Sequence, residues 1–135
     1  MTNNEIISDR EKMLEAVRDD GCALEYADET LKADREVVLE AVKSYGRALQ
    51  YASDTLNADR EVMLEAVRND GNALEYASDT LKADREVVLE AVKQNGYALE
   101  YASEELQNDP ELKKLAPNNS GLTEAFNEDG LLFLT

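Results

Sequence analysis

Histidine and tryptophan are absent from the 135-residue chain, and cysteine occurs once, as Cys22. Without histidine the Ser-His-Asp triad, the commonest general base and the usual zinc sites are excluded. A single cysteine rules out an intramolecular disulfide and favours a reducing compartment. No apolar run approaches the roughly 20 residues of a membrane span. The segment Met1 to Glu5 has neither the basic nor the apolar region of a secretory signal. The expected location is therefore cytoplasmic, and leaderless export is compatible with the same features. Basic residues are scarce: 14 Lys and Arg stand against 30 Asp and Glu, for a net charge of −16. Nucleic acid and anionic membrane are poor direct partners for such a chain, because phosphate contacts need clustered Lys and Arg. A basic partner, or solubility alone, fits the charge better. With only 6 glycines, 2 prolines and 43% hydrophobic residues, the composition is that of an ordered helical chain rather than a disordered one.

What the chain does contain is a period. Asp9, Asp34, Asp59, Asp84 and Asp109 fall 25 residues apart, as do Gly21, Gly46, Gly71 and Gly96. The Ala-Leu-(Glu/Gln)-Tyr-Ala blocks starting at Ala23, Ala48, Ala73 and Ala98 keep the same spacing. A fixed period in this range marks stacked supersecondary units. A longer period of 50 is superimposed, since Thr30 to Lys43 recurs letter for letter at Thr80 to Lys93.

Each unit reads as two short helices. Asp34 is placed to cap the first, Glu36 adds negative charge where the helix dipole favours it, and Val38, Ala41 and Val42 make a helical face. Gly46 is expected to take a positive φ and close that helix. The second helix is expected to carry Ala48, Tyr51, Ala52, Thr55 and Leu56 on one face. Neither helix exceeds roughly three turns, so stacking must supply the stability. The expected fold is all-α: nine short helices in helix-turn-helix repeats, stacked as a small right-handed or irregular α-solenoid with a C-terminal cap. Units span 9–33, 34–58, 59–83 and 84–108, with a half-unit at 109–116 opened by Asp109 and Pro110. Residues 1–8 are a lead-in in which Ile6 imitates the last leucine of a preceding unit, and 117–135 form a capping tail. Lys12 stands where later units have Val37, Val62 and Val87, and Lys113 and Lys114 replace Val88 and Leu89. Both changes suit terminal repeats with polar outer faces.

Variation among units concentrates around the glycine. Tyr45, Arg47, Asn72, Gln94 and Tyr97 are the candidate partner-binding residues, since aromatics and arginine are enriched at interface hot spots. The plainer alternative is that exposed turns vary because nothing constrains them. Tyr26, Tyr51, Tyr76 and Tyr101 form a ladder that reads as half-buried packing before it reads as a stacking platform. The aspartates read as caps, not as metal ligands. Neither Arg18-Asp19-Asp20-Gly21 nor Asn127-Glu128-Asp129-Gly130 meets the ligand pattern of an EF-hand. Cys22 lies in an acidic turn that disfavours a thiolate, and no phosphate-binding glycine loop is present. No catalytic residue, cofactor or metal is expected.

The run Ala-Asp-Arg-Glu-Val-Val-Leu-Glu-Ala-Val-Lys followed by Gly and Ala-Leu-Glu-Tyr-Ala-Ser-Glu-Glu-Leu, between Ala83 and Leu106, resembles the repeat of the family known as domain of unknown function 4116. The resemblance covers the four units from Asp9 to Asn108, and the tail after Pro117 lies outside it. It implies an α-helical repeat array and brings no catalytic residues with it. The functional expectation is a non-enzymatic module that binds a protein or peptide along the turn edge or a concave groove, as inhibitor or scaffold. An acidic decoy that mimics nucleic acid for a basic protein site is the first alternative. A structural protein that self-assembles through Leu131 to Leu134 is the second.

Overall fold

A computed structural model describes residues 9–116. Among the described residues there are eight α-helical and five 3-10 segments and no strand. The architecture is a stack of 25-residue units. Each opens with a long helix: α1 (Arg10–Asp19), α3 (Arg35–Ser44), α4 (Arg60–Asn69), α6 (Arg85–Gln94) and the shorter α8 (Pro110–Leu115). Every one is capped by the periodic aspartate. The Asp34 carboxylate, for instance, accepts the N–H groups of Glu36 and Val37 at 3.1 and 3.2 Å, which satisfies donors the helix itself leaves unpaired. Pro110 occupies the first turn of α8 behind its Asp109 cap.

The second half of each unit is not one helix. It divides into a 3-10 run, such as Gly46–Tyr51 or Gly71–Tyr76, and a single turn, such as α2 (Glu29–Lys32), α5 (Asp79–Lys82) or α7 (Glu104–Gln107). The expected continuous helix over Ala48 to Leu56 is broken at Ala52, which is extended at ψ 159°. Two local causes are visible. Ser78 and Ser103 cap the turns that follow, accepting the N–H of Leu81 and Leu106 at 3.3 Å each. The extended residues also expose backbone groups to the neighbouring unit. Ser53, Ser78 and Ser103 donate their N–H to the carbonyls of Lys32, Asn57 and Lys82, one unit back, at 2.9, 3.0 and 2.9 Å. A continuous helix would have consumed those groups internally.

Long helices pack on one another in chain order, and the 3-10 runs form a second row beside them, each lodged between its own long helix and the next. The core runs between the two rows as one cluster from Met13 and Leu14 to Leu112 and Ala116. No polar or charged side chain among the described residues is buried. Val37, Val62 and Val87 are fully enclosed, whereas Lys12 in the first unit is exposed. At the other end Lys113 is exposed where Val88 is enclosed. The polar ends therefore fall where the stack has no neighbouring unit among the described residues. The expected lead-in (1–8) and capping tail (117–135) lie outside them.

The glycines serve a purpose other than the expected one. None of Gly21, Gly46 and Gly71 has a positive φ. Each begins a 3-10 run, after a residue that is extended at φ near −151°. A Cβ at Gly21, Gly46 or Gly71 would lie 2.3, 2.4 or 2.3 Å from the carbonyl oxygen of Ala41, Ala66 or Ala91 in the next unit. Glycine is required by close approach between units.

Candidate functional site

The 3-10 run Gly-x-Ala-Leu-(Glu/Gln)-Tyr turns its Gly, Ala and Leu inward, as Gly46, Ala48 and Leu49 show, and the other positions outward. Successive runs lie side by side, so three rows cross the face. One is the variable row Cys22, Arg47, Asn72 and Tyr97. The second is the exposed row Glu25, Gln50, Glu75 and Glu100. The third is the tyrosine ladder, in which Tyr51, Tyr76 and Tyr101 are half-buried against the core and Tyr26 is more exposed. Burial, first of all, pushes the hydroxyls of Tyr51, Tyr76 and Tyr101 above the ordinary tyrosine value, and acidic neighbours such as Glu25 and Glu75 add to it. The half-buried reading of the ladder therefore holds for Tyr51, Tyr76 and Tyr101, whereas Tyr26 is exposed.

The five candidate residues divide into two sets. Arg47, Asn72 and Tyr97 share the variable row. Tyr45 and Gln94 sit at the carboxyl ends of long helices, just before it. Tyr45 is the exception among residues that precede the glycine. Asp20, Asp70 and Asn95 each accept the N–H two residues on, at 3.0, 2.9 and 3.0 Å, while Tyr45 makes no such bond and packs partly into the core. Arg47 donates from Nε to Asp70 of the next unit at 2.8 Å, so it is anchored although 42% of its side chain is exposed. Among the described residues Tyr97 is the most exposed large apolar side chain, at 54%. It borders a cavity of about 320 Å³ at the carboxyl end of the stack. Gln94 is engaged within the stack: its amide donates to the Arg68 carbonyl of the preceding unit at 2.6 Å. The equivalent Asn69 donates to the Lys43 carbonyl at 3.1 Å and accepts the Gly46 N–H at 2.6 Å. Ser44 accepts the Gly21 N–H at 2.8 Å. This position joins units, and as Ser44 and Asn69 it also holds the glycine N–H of the preceding unit.

Cys22 is half-buried, and burial followed by Asp20 pushes its thiol above the ordinary value. A neutral thiol is a poor nucleophile.

A second inter-unit device was not anticipated from the sequence. Arg10, Arg35, Arg60 and Arg85 each open a long helix and reach the next unit. Their Nε atoms lie 2.6, 2.6, 2.8 and 3.0 Å from the capping aspartates Asp34, Asp59, Asp84 and Asp109. One terminal nitrogen of each also bonds Glu36, Glu61, Glu86 or Glu111. Each aspartate thus caps its helix with Oδ1 and accepts the arginine Nε on Oδ2, while a terminal guanidinium nitrogen also reaches Oδ1 at 3.3, 3.3, 3.4 and 3.4 Å. The arginine hydrogen bond, more than anything else, holds the Asp34, Asp59 and Asp84 carboxyls below their ordinary value. A weaker ladder follows the 50-residue period, with Arg18 to Glu40 at 3.4 Å and Arg68 to Glu90 at 3.6 Å. With Arg47, all seven arginines of the chain are in ion pairs. The recurring Asp-Arg-Glu triplet was the available signal, because its spacing allows a fork from one triplet to the next once the helices lie parallel.

Among the described residues no helix is long and apolar enough to cross a membrane, and no group of three His, Cys, Asp or Glu side chains is placed to hold a metal ion. No curated protein and no solved structure matches the chain. A family model described as Domain of unknown function (DUF4116) matches residues 9–57 and again 59–116, each match spanning two of the observed units or two and a half-unit, and the chain therefore belongs to that family.

Proposed function

We propose that the chain is a non-enzymatic interaction module that binds a protein or peptide along the 3-10 face. One observation carries this reading. The frame repeats nearly unchanged, yet the outward variable row differs at every step, as Cys22, Arg47, Asn72 and Tyr97, with Tyr45 as a further departure beside it. A rigid frame holding different side chains at fixed intervals is the arrangement by which repeat proteins read a partner. Tyr45, Arg47 and Tyr97 supply the aromatic and guanidinium groups that dominate interface energetics. Gln94 takes a supporting part, through its bond to the preceding unit. The adjoining acids Glu25, Glu75 and Glu100 favour a partner with basic character, which also suits the cytoplasmic setting that the composition suggests.

The test is capture from native lysate with the wild-type chain and with Arg47→Ala/Tyr97→Ala as baits, at about 0.05 and 0.5 M salt, where exposed charges are weakly and strongly screened. The expected result is a partner retained at high salt by the wild type and lost by the double variant, with helicity unchanged. Equal capture by the variant would refute the face. Basic proteins lost at high salt by both baits would favour the acidic decoy instead.

A further inference from the structure

Building on the interaction face of the preceding section, we propose that its partner is an extended, polyproline-like segment with one acidic side chain between two basic ones. The acidic side chain meets Arg47 in the second unit, and the basic ones meet Glu25 and Glu75 in the first and third. The departures of the second unit go together. It has Tyr45 where the others have Asp20, Asp70 and Asn95, Arg47 where they have Cys22, Asn72 and Tyr97, and Gln50 where they have Glu25, Glu75 and Glu100. At these positions the first and third units carry two acids each, while the second carries one arginine and no acid. The 3-10 runs lie side by side in chain order, so the sign of charge changes at the second unit and changes back at the third.

Arg47 is placed to receive a carboxylate. It gives Nε to Asp70 at 2.8 Å, whereas Arg10, Arg35, Arg60 and Arg85 each also spend a terminal nitrogen on a glutamate. Among the described residues the terminal nitrogens of Arg47 have no hydrogen-bond partner, and that end of a guanidinium can hold a carboxylate with both of them. Asp70, and after it Tyr45 and Tyr76, favour the guanidinium charge, so the two tyrosine hydroxyls lie near it. The spacing then selects the backbone of the partner. Packed helices lie about 8–10 Å apart, and one 3-10 run accompanies each long helix. A polyproline II chain rises about 3.1 Å per residue and turns once in three, so every third side chain returns to the same side about 9 Å further on. A β-strand would turn residues three apart to opposite sides. Beside the charges Tyr51, Tyr76 and Tyr101 supply one ring per unit, and proline-rich segments dock on aromatic-lined surfaces.

The test titrates the full chain with synthetic peptides and follows its amide resonances by NMR. The probes are Lys-Pro-Pro-Glu-Pro-Pro-Lys, the all-lysine Lys-Pro-Pro-Lys-Pro-Pro-Lys and the shortened Lys-Pro-Glu-Pro-Lys. The first reads the same in both directions, so its charges match the face in either orientation. The variant Tyr45→Asp/Arg47→Asn/Gln50→Glu gives the second unit the side chains that the third carries as Asp70, Asn72 and Glu75, a set the frame already accepts. Expected is that the wild type binds the first peptide about tenfold more tightly than the other two, the scale of one charge-assisted contact. The triple variant should instead prefer the all-lysine peptide, by a similar factor. Equal binding of all three peptides, an order unchanged in the variant, or no binding at all would overturn the charge register. In each of those cases the lysate capture separates the two readings. A partner still lost by Arg47→Ala/Tyr97→Ala would leave the face standing without this register, and equal capture would refute both.

Discussion

Substituting Gly46 by alanine tests the packing logic of the whole array, because two physical accounts predict opposite signs. Gly46 has an ordinary negative-φ backbone, and at such a site Gly→Ala usually stabilises by about 0.4–1 kcal/mol through the unfolded chain. Contact between units predicts the reverse. The new Cβ would lie 2.4 Å from the Ala66 carbonyl oxygen, 3.1 Å from the Asp70 nitrogen and 3.2 Å from Asn69 Oδ1. Two of these are backbone atoms of the neighbouring unit and cannot rotate aside. Relief needs α4 to withdraw from the Gly46–Tyr51 run by about 1 Å. That helix is held at one end by the Arg35–Asp59 pair and at the other by the Gly46–Asn69 bond at 2.6 Å. Overpacking of this kind costs about 1–3 kcal/mol, and the weakened hydrogen bond adds about 1 kcal/mol. Net of the entropic gain, the loss is about 2–3 kcal/mol, or a fall in Tm of about 10 °C for a chain of this size. Thermal unfolding followed by far-ultraviolet circular dichroism reads it directly. An unchanged or raised Tm would refute the reasoning. Gly46→Asn separates the remaining alternative: asparagine tolerates a left-handed backbone, so recovery of stability with Asn would show that conformation, not contact, required the glycine.

Other predictions follow from the same contacts. Asp34, Asp59 and Asp84 are held below the ordinary carboxylate range by their arginines. Their contribution is therefore complete above the unfolded value of about pH 4 and is lost as pH falls through the depressed folded values. Denaturant unfolding across that window should show a steep acid loss, shallower in Asp59→Asn; an identical slope in the variant would contradict the ladder. Val62→Lys copies the first unit's Lys12 into the interior. It should cost roughly 3 kcal/mol or more, since a fully enclosed valine is lost and a charge must be buried. Lys12→Val should stay within about 0.5 kcal/mol, and similar effects at the two sites in urea titrations would show that the valine face does not pack between units.

How much of this was legible in advance can be judged residue by residue. The aspartate caps, Pro110 in the first turn of α8, the enclosed Val37 face and the polar exchanges at Lys12 and Lys113 were all readable, because each depends on one residue and its nearest turn. Tyr51, Tyr76 and Tyr101 were readable as half-buried for the same reason, whereas Tyr26 of the same ladder is exposed. The second helix was misjudged at Ser53, Ser78 and Ser103. Apolar spacing over Ala48 to Leu56 is compatible with an α-helix, but a serine that caps the next turn and a backbone bond to the preceding unit together outweigh it. Gln94 stood out as a variable polar residue, whereas its amide turns back to the Arg68 carbonyl.

The sequence by itself determined the period, the helical class, the caps and the polarity of both ends, since these follow from local chemistry repeated every 25 residues. Only the tertiary structure decided why the glycines are glycine, where the arginines point and which outward residues share a row. Those depend on atoms 20 or more residues apart along the chain, such as Gly46 and Ala66 or Arg35 and Asp59. Their meeting is set by how closely one unit approaches the next. That distance is a property of the stack, and no single unit encodes it alone.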